Sequence, residues 1–542
     1  MPKNILYYGD NLKIMHEHIP DESVDLIYLD PPFNSNQGYN VLFAEKNGSD
    51  AAAQIKAFED TWRWDQSAAE AYHYVVENGP AKASQAMQAF RQMLGCNDML
   101  AYLAMMAPRL LELHRVLKST GSIYLHCDPT ASHYLKMLLD AVFGLVNFGN
   151  EIIWLRSSPK SHVKKRFPNS HDIILYYRKS EDSKFNLVFK PHSEDYLRKF
   201  YRYIEPGTGR RYRIDNLANP NKNRPNLTYE FKGVTRVWRW TKERMEKADQ
   251  EGRIVYIPGN VPGYKRYLDE MPGTPVATVW EDIKHLQSQS AERLGYPTQK
   301  PEALLERIIQ ASSKEGDLVL DPFCGCGTTV IAAHRLKRRW IGIDITHLAI
   351  SLMKTRLQDT FGEKIKSRYS VVGEPESLPD AETLAKDDPY QFQWWALSLV
   401  SARPAEKKKG VDKGIDGRLF FHDDPKSSTR QIVISVKSGH TGVAHVRDLL
   451  GVMGREQAEI GVLITLQNPT RDMKAEAAGA GFYESPTWHS KHPRLQILTI
   501  EELFKGQRID YPPPTQVNVT FKKAQRKDEE NNDKQNELNF EQ

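Results

Sequence analysis

The sequence predicts an α/β protein built from more than one domain, and three observations carry that reading. Two apolar, strand-like segments, LIYLDPPF (Leu26–Phe33) and LVLDPFCGCGTT (Leu318–Thr329), each end on an Asp-Pro step. Strand-like and helix-like patterns alternate through 1–180 and 291–370. A second α/β pattern runs from Gln391 to about Gly506. At 542 residues the chain has room for about three domains.

Composition narrows the class. A hydrophobic content of 40% supports real cores, and a net charge of +5 is too mild to imply a nucleic-acid partner by itself. No apolar run reaches the ~20 residues of a membrane helix. Met1–Asn4 leads straight into a strand-like Ile5–Tyr8, so no signal peptide is expected. Four cysteines without a disulfide-like framework fit a reducing cytoplasm. Between the two halves of the first α/β pattern, 185–285 is rich in Tyr, Trp, Arg, Gly and Pro. Residues 371–390 are polar and contain proline, which reads as a linker. The end of the chain, 511–542, is charged and Asn/Gln-rich from Lys522 and is expected to be disordered.

The second Asp-Pro segment has the make-up of a ligand loop. Asp317–Leu320 is a short apolar strand that Asp321 ends; Pro322, Phe323, Cys324, Gly325 and Gly327 follow, and Thr328 opens a helix. Glycines let backbone approach a ligand, and a helix N-terminus favours an anion. Asp344 ends the next strand, Trp340–Ile345, about 20 positions on, where an acid suits ribose hydroxyls. Cys324 and Cys326 invite a metal reading, which is set aside because no second Cys pair exists. Asp10, after the strand NILYY, is placed to N-cap a helix.

The first Asp-Pro segment carries the resemblance. Asp30-Pro31-Pro32-Phe33 after an apolar strand resembles the catalytic signature of methyltransferases that act on exocyclic amino groups of DNA bases. Asp321–Gly327 resembles their S-adenosylmethionine loop, and Tyr296–Glu302, with Lys300, the cofactor motif upstream of it. The catalytic segment precedes the cofactor segment, as in the beta class, which includes the modification subunits of type III restriction systems. Gly121–Phe143, Phe148–Trp154 and Ser170–Ser180 are similar to those subunits as well. The resemblance implies a circularly permuted Rossmann-like methyltransferase over 1–184 and 286–370, with a target-recognition domain inserted at 185–285. It implies that Asp30 and the Pro31 carbonyl accept the amino hydrogens of a flipped base, and that Phe33 stacks on it. It further implies that Tyr176 or Tyr177 lines the base pocket and that Asp10, near the end of the cofactor cleft, reaches the cofactor's adenosine, the alternative to a plain helix N-cap. In this family an Asp before Pro-Pro goes mostly with adenine and a Ser mostly with cytosine. His126 and Asp128 are assigned structural roles at a strand end rather than metal ligation.

The insert interleaves base and ring: KFYRY, GRRYR, VTRVWRW. That composition suits phosphate contact and base reading, with Arg210, Arg211, Arg236 and Arg239 as candidates; a solvated basic insert is the plainer reading. Further on, GVDKGIDGRLFF (Gly410–Phe421) and RQIVISVKSG (Arg430–Gly439) resemble Mrr-like restriction endonucleases of the PD-(D/E)xK group, over 391–510. Such a nuclease uses acids to hold Mg²⁺ and a Lys near the attacked phosphate. Asp416 and Lys437 match; Ser435 stands where the group usually has Glu or Gln, and Asp412 is a substitute acid. Active cleavage and a docking domain that kept the nuclease fold both remain open. The expected activity is adenine-specific DNA methylation, against three alternatives: a single-chain restriction–modification enzyme, a cytosine 4-amino methyltransferase, or a non-enzymatic DNA-binding subunit. Double-stranded DNA is the expected partner. A homodimer, or a separate restriction subunit, follows only from the resemblance.

Overall fold

A computed structural model describes residues 4–32, 63–157, 165–257, 261–287, 298–405, 414–423 and 429–513, with 163, 290, 292 and 294 between them. Phe33, Asp412 and the tail beyond 513 lie outside the described residues.

Val24–Leu29 is buried at every position, because a central parallel strand is covered on both faces and so reads as a largely apolar run, broken by Asp25, which pairs with Lys118. It sits inside a nine-stranded sheet. The order is Val279–Trp280, Phe148–Leu155, His171–Arg178, Leu117–Cys127, Val24–Leu29, Leu318–Asp321, Arg339–Asp344, Asn4–Tyr8, Tyr369–Val372. Pairing is parallel from Tyr369–Val372 across to Leu117–Cys127. His171–Arg178 is antiparallel to both of its neighbours. The N-terminal strand is flanked by the two strands that follow the glycine-rich loop. This is the permuted α/β arrangement that the motif order implied. Val24–Leu29 and Leu318–Asp321 are hydrogen-bonded neighbours, with Val319 opposite Leu26 and Leu320 opposite Ile27. The chain reverses its strand order there, and ligands of open α/β sheets bind at the carboxyl ends of strands at such a point.

The helix Asp98–Val116 packs an apolar face of Leu103, Met106, Leu110 and Leu113 into the main core. Asn97 caps it by accepting a hydrogen bond from Leu100 N at 3.0 Å.

Leu187–Ala277 is a separate compact unit. It holds a four-stranded antiparallel sheet, in the order Ile254–Ile257, Val261–Tyr267, Arg211–Asn216, Tyr203–Ile204. It also holds a hairpin of Thr228–Phe231 and Val234–Val237. Leu217, Phe231, Trp238 and Met245 form its small core.

The stretch read as a linker is corrected. Leu378–Asp387 is a helix closed by a capping box of Ser377 and Asp380. Ala381 and Ala385 are buried and Leu378 and Leu384 pack partly buried beside them, a short apolar stripe at helical spacing set among Pro379 and charged residues. A five-stranded sheet follows, in the order Arg403–Pro404, Gly417–Phe421, Arg430–Lys437, Ile460–Thr465, Leu495–Thr499. Helices Pro389–Leu399, Val443–Glu456 and Arg471–Gly479 accompany it.

Candidate active site

Asp30 follows the last residue of its strand, and Asp321 ends the neighbouring one. Two residues nearly three hundred positions apart therefore meet at one edge of the sheet. The Asp30 carboxylate is ion-paired with Lys300 Nζ. Lys300, expected at the cofactor, ties the segment before the helix Glu302–Ser312 to the Asp30 carboxylate.

The glycine loop is held from four sides. Asp321 Oδ1 accepts from Phe323 N at 3.0 Å, and Oδ2 from Thr329 Oγ1 at 2.6 Å. Asp344 Oδ2 accepts from Gly325 N at 2.9 Å, while Oδ1 accepts from Thr346 N and Oγ1, both at 2.9 Å. Asn11 Nδ2 donates to the Pro322 carbonyl at 2.8 Å. Arg356, buried, donates to the Cys326 carbonyl at 3.0 Å and pairs with Glu302 at 3.0 Å. Gly325 and Gly327 both adopt left-handed φ, +49° and +75°, which glycine takes without steric cost. Thr328 begins the helix behind them. The thiols do not face each other as a ligand pair: Cys324 Sγ lies 3.1 Å from the Ile343 carbonyl, and Cys326 Sγ lies 3.6 Å from Thr328 Oγ1.

Asp10 caps the helix Asn11–His18 and accepts from Arg109 Nη2 at 2.6 Å. Of the two readings left open for it, the cap is what the structure displays. Asn11 and Arg109 were missed by sequence reasoning. Asn11 accepts from Arg109 Nε at 2.6 Å, so one arginine orients both the cap and the side chain that braces Pro322. Only the Gly-Asp-Asn turn after the first strand pointed that way.

Tyr176 and Tyr177 are a correction. Both are buried, two to three positions back from the sheet edge where Asp30 lies. Tyr176 stacks on Tyr124 with ring centroids 4.6 Å apart, in space that Gly149 leaves open. Tyr177 faces the opposite side and donates to Asp140 Oδ1 at 2.7 Å. Strand alternation sends neighbours to opposite faces, and here both faces are core.

Burial pushes the Asp321 carboxyl up to about 7 and the Asp344 carboxyl up to about 6. Each group binds its proton more tightly folded than unfolded. Their contribution to stability is therefore full below about pH 4 and is lost as pH rises through 6 to 7. The ligand-free protein is expected to melt at lower temperature as pH rises from about 5 to 8, and Asp321→Asn should flatten that fall. Melting curves with the same slope in both proteins would count against a protonated Asp321.

In the insert, Arg210 is corrected too. Its guanidinium is bidentate to Asp269 at 2.8 Å, bonds Glu270 at 2.8 Å and lies over the Tyr267 ring. Arg211 Nε donates to the Tyr201 carbonyl at 3.2 Å. Arg236 and Arg239 are exposed, on and just after the hairpin strand Val234–Val237.

In the C-terminal sheet, Asp416, Ser435 and Lys437 do converge. Asp416 Oδ2 accepts from Val436 N at 2.7 Å and from Ser435 Oγ at 3.1 Å, with Lys437 Nζ at 3.9 Å. This set does not fit Mg²⁺: it offers one carboxylate, whose oxygen is already bonded to a backbone amide. Among the described residues no group of three or more His, Cys, Asp or Glu could hold a metal ion.

A permuted, mostly parallel sheet, a glycine loop and an Asp-Pro step side by side at the strand ends define an α/β enzyme built around a nucleotide-like cofactor. The sequence matches the DNA methylase family of N6/N4 methyltransferases over residues 24–355, and the chain belongs to that family. Residues 391–505 match a second family, NACHT-associated inactive restriction endonuclease 1. The Type II methyltransferase M.EcaI of Enterobacter cloacae is 27% identical over 360 residues, covering 66% of this chain and 69% of that protein. The Mod subunit of the Type III restriction-modification enzyme StyLTI of Salmonella typhimurium is 25% identical over 352 residues, 61% of this chain and half (50%) of that one. The solved PvuII DNA methyltransferase, described as cytosine-N4-specific, aligns over 68% of this chain and 95% of its own, at 15% identity and a TM-score of 0.31. No described helix is long and apolar enough to cross a membrane.

Proposed function

We propose that this chain transfers the methyl group of S-adenosylmethionine to the 6-amino group of adenine within a specific sequence of double-stranded DNA. The carrying observation is the juxtaposition of Asp30 with the Asp321–Thr328 loop on neighbouring strand ends. The loop suits the cofactor. Asp321 and Asp344 are buried carboxyls whose hydrogen-bond partners are all neutral, and a cationic ligand relieves that arrangement. When bound, S-adenosylmethionine supplies an electrophilic methyl on a sulfonium centre.

The rest falls to the protein. An adenine amino group is a poor nucleophile because its lone pair is delocalised into the ring. Two fixed acceptors, the Asp30 carboxylate and the Pro31 carbonyl, accept hydrogen bonds from its two N–H groups and favour the rehybridised nitrogen, which sheds one of these protons as it gains the methyl; a hydrogen bond to a charged group is worth about 1.5–3 kcal/mol. Lys300, ion-paired with Asp30, occupies the donor position until the base arrives. The Asp before Pro-Pro supports adenine over cytosine. The test is labelled methyl transfer to mixed-sequence DNA, followed by nucleoside analysis. Methylated cytosine would replace the adenine reading, and a cofactor-binding protein with no product would leave a DNA-binding subunit.

The insert is read as the DNA-contact unit, with Arg236 and Arg239 in place of Arg210. Arg236→Ala with Arg239→Ala should weaken DNA binding and reduce its salt slope by about 2, with cofactor affinity unchanged. Equal affinity and slope at low and moderate salt would remove the hairpin from the interface.

The C-terminal module is read as a nuclease fold that docks without cutting. Serine at 435 leaves the site one charge short, and Asp416 is spent on Val436 N. Wild-type protein with Mg²⁺ or Mn²⁺ should leave unmethylated DNA intact. Nicking that disappears in Asp416→Ala and in Lys437→Ala would restore the restriction–modification alternative.

A further inference from the structure

Beneath the catalytic strand end runs a chain of polar groups that the proposed chemistry does not use. Tyr28 Oη lies 2.9 Å from His126 Nδ1. His126 Nε2 lies 3.2 Å from Asp172 Oδ2, and Arg156 Nε lies 3.2 Å from Asp172 Oδ1. Tyr28, His126 and Asp172 are at most 2% exposed. Trp154 closes the side, its ring edge-on to His126 at 5.7 Å and its Nε1 donating to the Ile283 carbonyl at 2.8 Å.

Burying so many polar atoms is costly unless each is bonded. An apolar column would stabilise this part of the sheet at least as well. Tyr28, His126 and Asp172 stand on three adjacent strands of the sheet. Tyr28 is two residues before Asp30, so its ring tip and the Asp30 backbone belong to one short extended segment. A clamp on Tyr28 Oη fixes the pitch of that segment, and with it the aim of the Asp30 carboxylate and the Pro31 carbonyl. Asp172 supplies the fixed end. Burial opposes its ionisation, but His126, Lys300 and Arg156 hold its carboxyl below the ordinary range. A carboxylate ionised in that place orients the His126 ring through Nε2.

We infer that His126, held by Asp172, is a positioning residue for methyl transfer: it acts through Tyr28 to keep the two acceptors at Asp30 and Pro31 aimed at the target amino group. The inference rests on the methyl-transfer reading above. Misaiming a reacting group by about 1 Å costs on the order of 100-fold in rate, so a clamp acting only on aim should appear in kcat.

The test compares wild type with Tyr28→Phe, His126→Ala, His126→Gln, Asp172→Asn and the Tyr28→Phe/His126→Ala pair. Rates are expressed per cofactor-binding site, counted by equilibrium titration with S-adenosylmethionine, so that unfolded protein is not scored as inactive. Expected are a kcat loss of about 10- to 100-fold in Tyr28→Phe and His126→Ala, with KM for DNA and cofactor affinity within about two-fold of wild type. His126→Gln, which keeps a hydrogen-bonding side chain, should recover part of the loss. The double variant should lose no more than the worse single one, because both changes cut the same chain. Variants that melt earlier yet turn over at wild-type kcat per site would overturn the inference and leave the chain a purely structural network. A wild type that methylates no DNA at all would sink the underlying reading instead, so the two failures are separable.

Discussion

Asp30→Ala is expected to abolish methyl transfer while cofactor affinity stays near wild type. Removing one pre-aimed polar group from a reacting centre costs about 10²–10³-fold in kcat, and here the lost group is the charged acceptor of the pair. The substitution also takes from the largely buried Lys300 its ion-pair partner Asp30, leaving its 3.5 Å bond to the Thr298 carbonyl. Leaving an ammonium without its carboxylate costs stability, up to about 3–5 kcal/mol for a fully buried pair, less here because both side chains keep some exposure. Asp30→Asn with Lys300→Met separates the effects, since it removes both charges of the pair together. Single-turnover methyl transfer and calorimetric cofactor titration are the measurements. If affinity for S-adenosylmethionine falls along with the rate in Asp30→Asn, Asp30 belongs to the cofactor site and not to the base.

Gly327→Val is expected to remove cofactor binding. Gly327 caps the helix Thr328–Arg335 in the left-handed region at φ +75°, and a β-branched residue is a genuine outlier there. A Cβ on it would also meet Met353 Cγ at 2.6 Å, and Met353 is fully buried. Strain of this kind costs on the order of 1–3 kcal/mol, and overpacking adds a similar amount. The loop can relieve both only by moving, which breaks the Asp344–Gly325 bond and turns the helix N-terminus away. Cofactor affinity should fall by at least about 10-fold, the equivalent of 1.4 kcal/mol. A variant that binds as tightly as wild type would show that the loop does not cradle the cofactor.

How far the sequence reaches depends on the range of the interaction. Strand Val24–Leu29 is legible because a fully buried parallel strand writes its burial into consecutive residues. The loop from Asp321 to Thr328 is legible because only glycine tolerates its backbone. The Asp416, Ser435 and Lys437 group is legible only through the resemblance to a nuclease fold, in which a turn and a following strand bring those positions together. Leu378–Asp387 reads as a linker because its apolar stripe of Leu378, Ala381, Leu384 and Ala385 is short and set among Pro379 and charged residues.

What the sequence determines by itself is therefore the α/β class, the motif order behind the permutation, and which residue types carry the chemistry. Tertiary structure alone decides who meets whom. It sets Lys300 against Asp30 and aims Asn11 at Pro322. It spends Arg210 on Asp269 and Glu270, sinks Tyr176 and Tyr177 into the core, and links Tyr28 to Asp172 through His126. The periods of strand and helix are local and repeat within a few residues, whereas these contacts join strands and helices far apart in the chain and exist only once the sheet has closed.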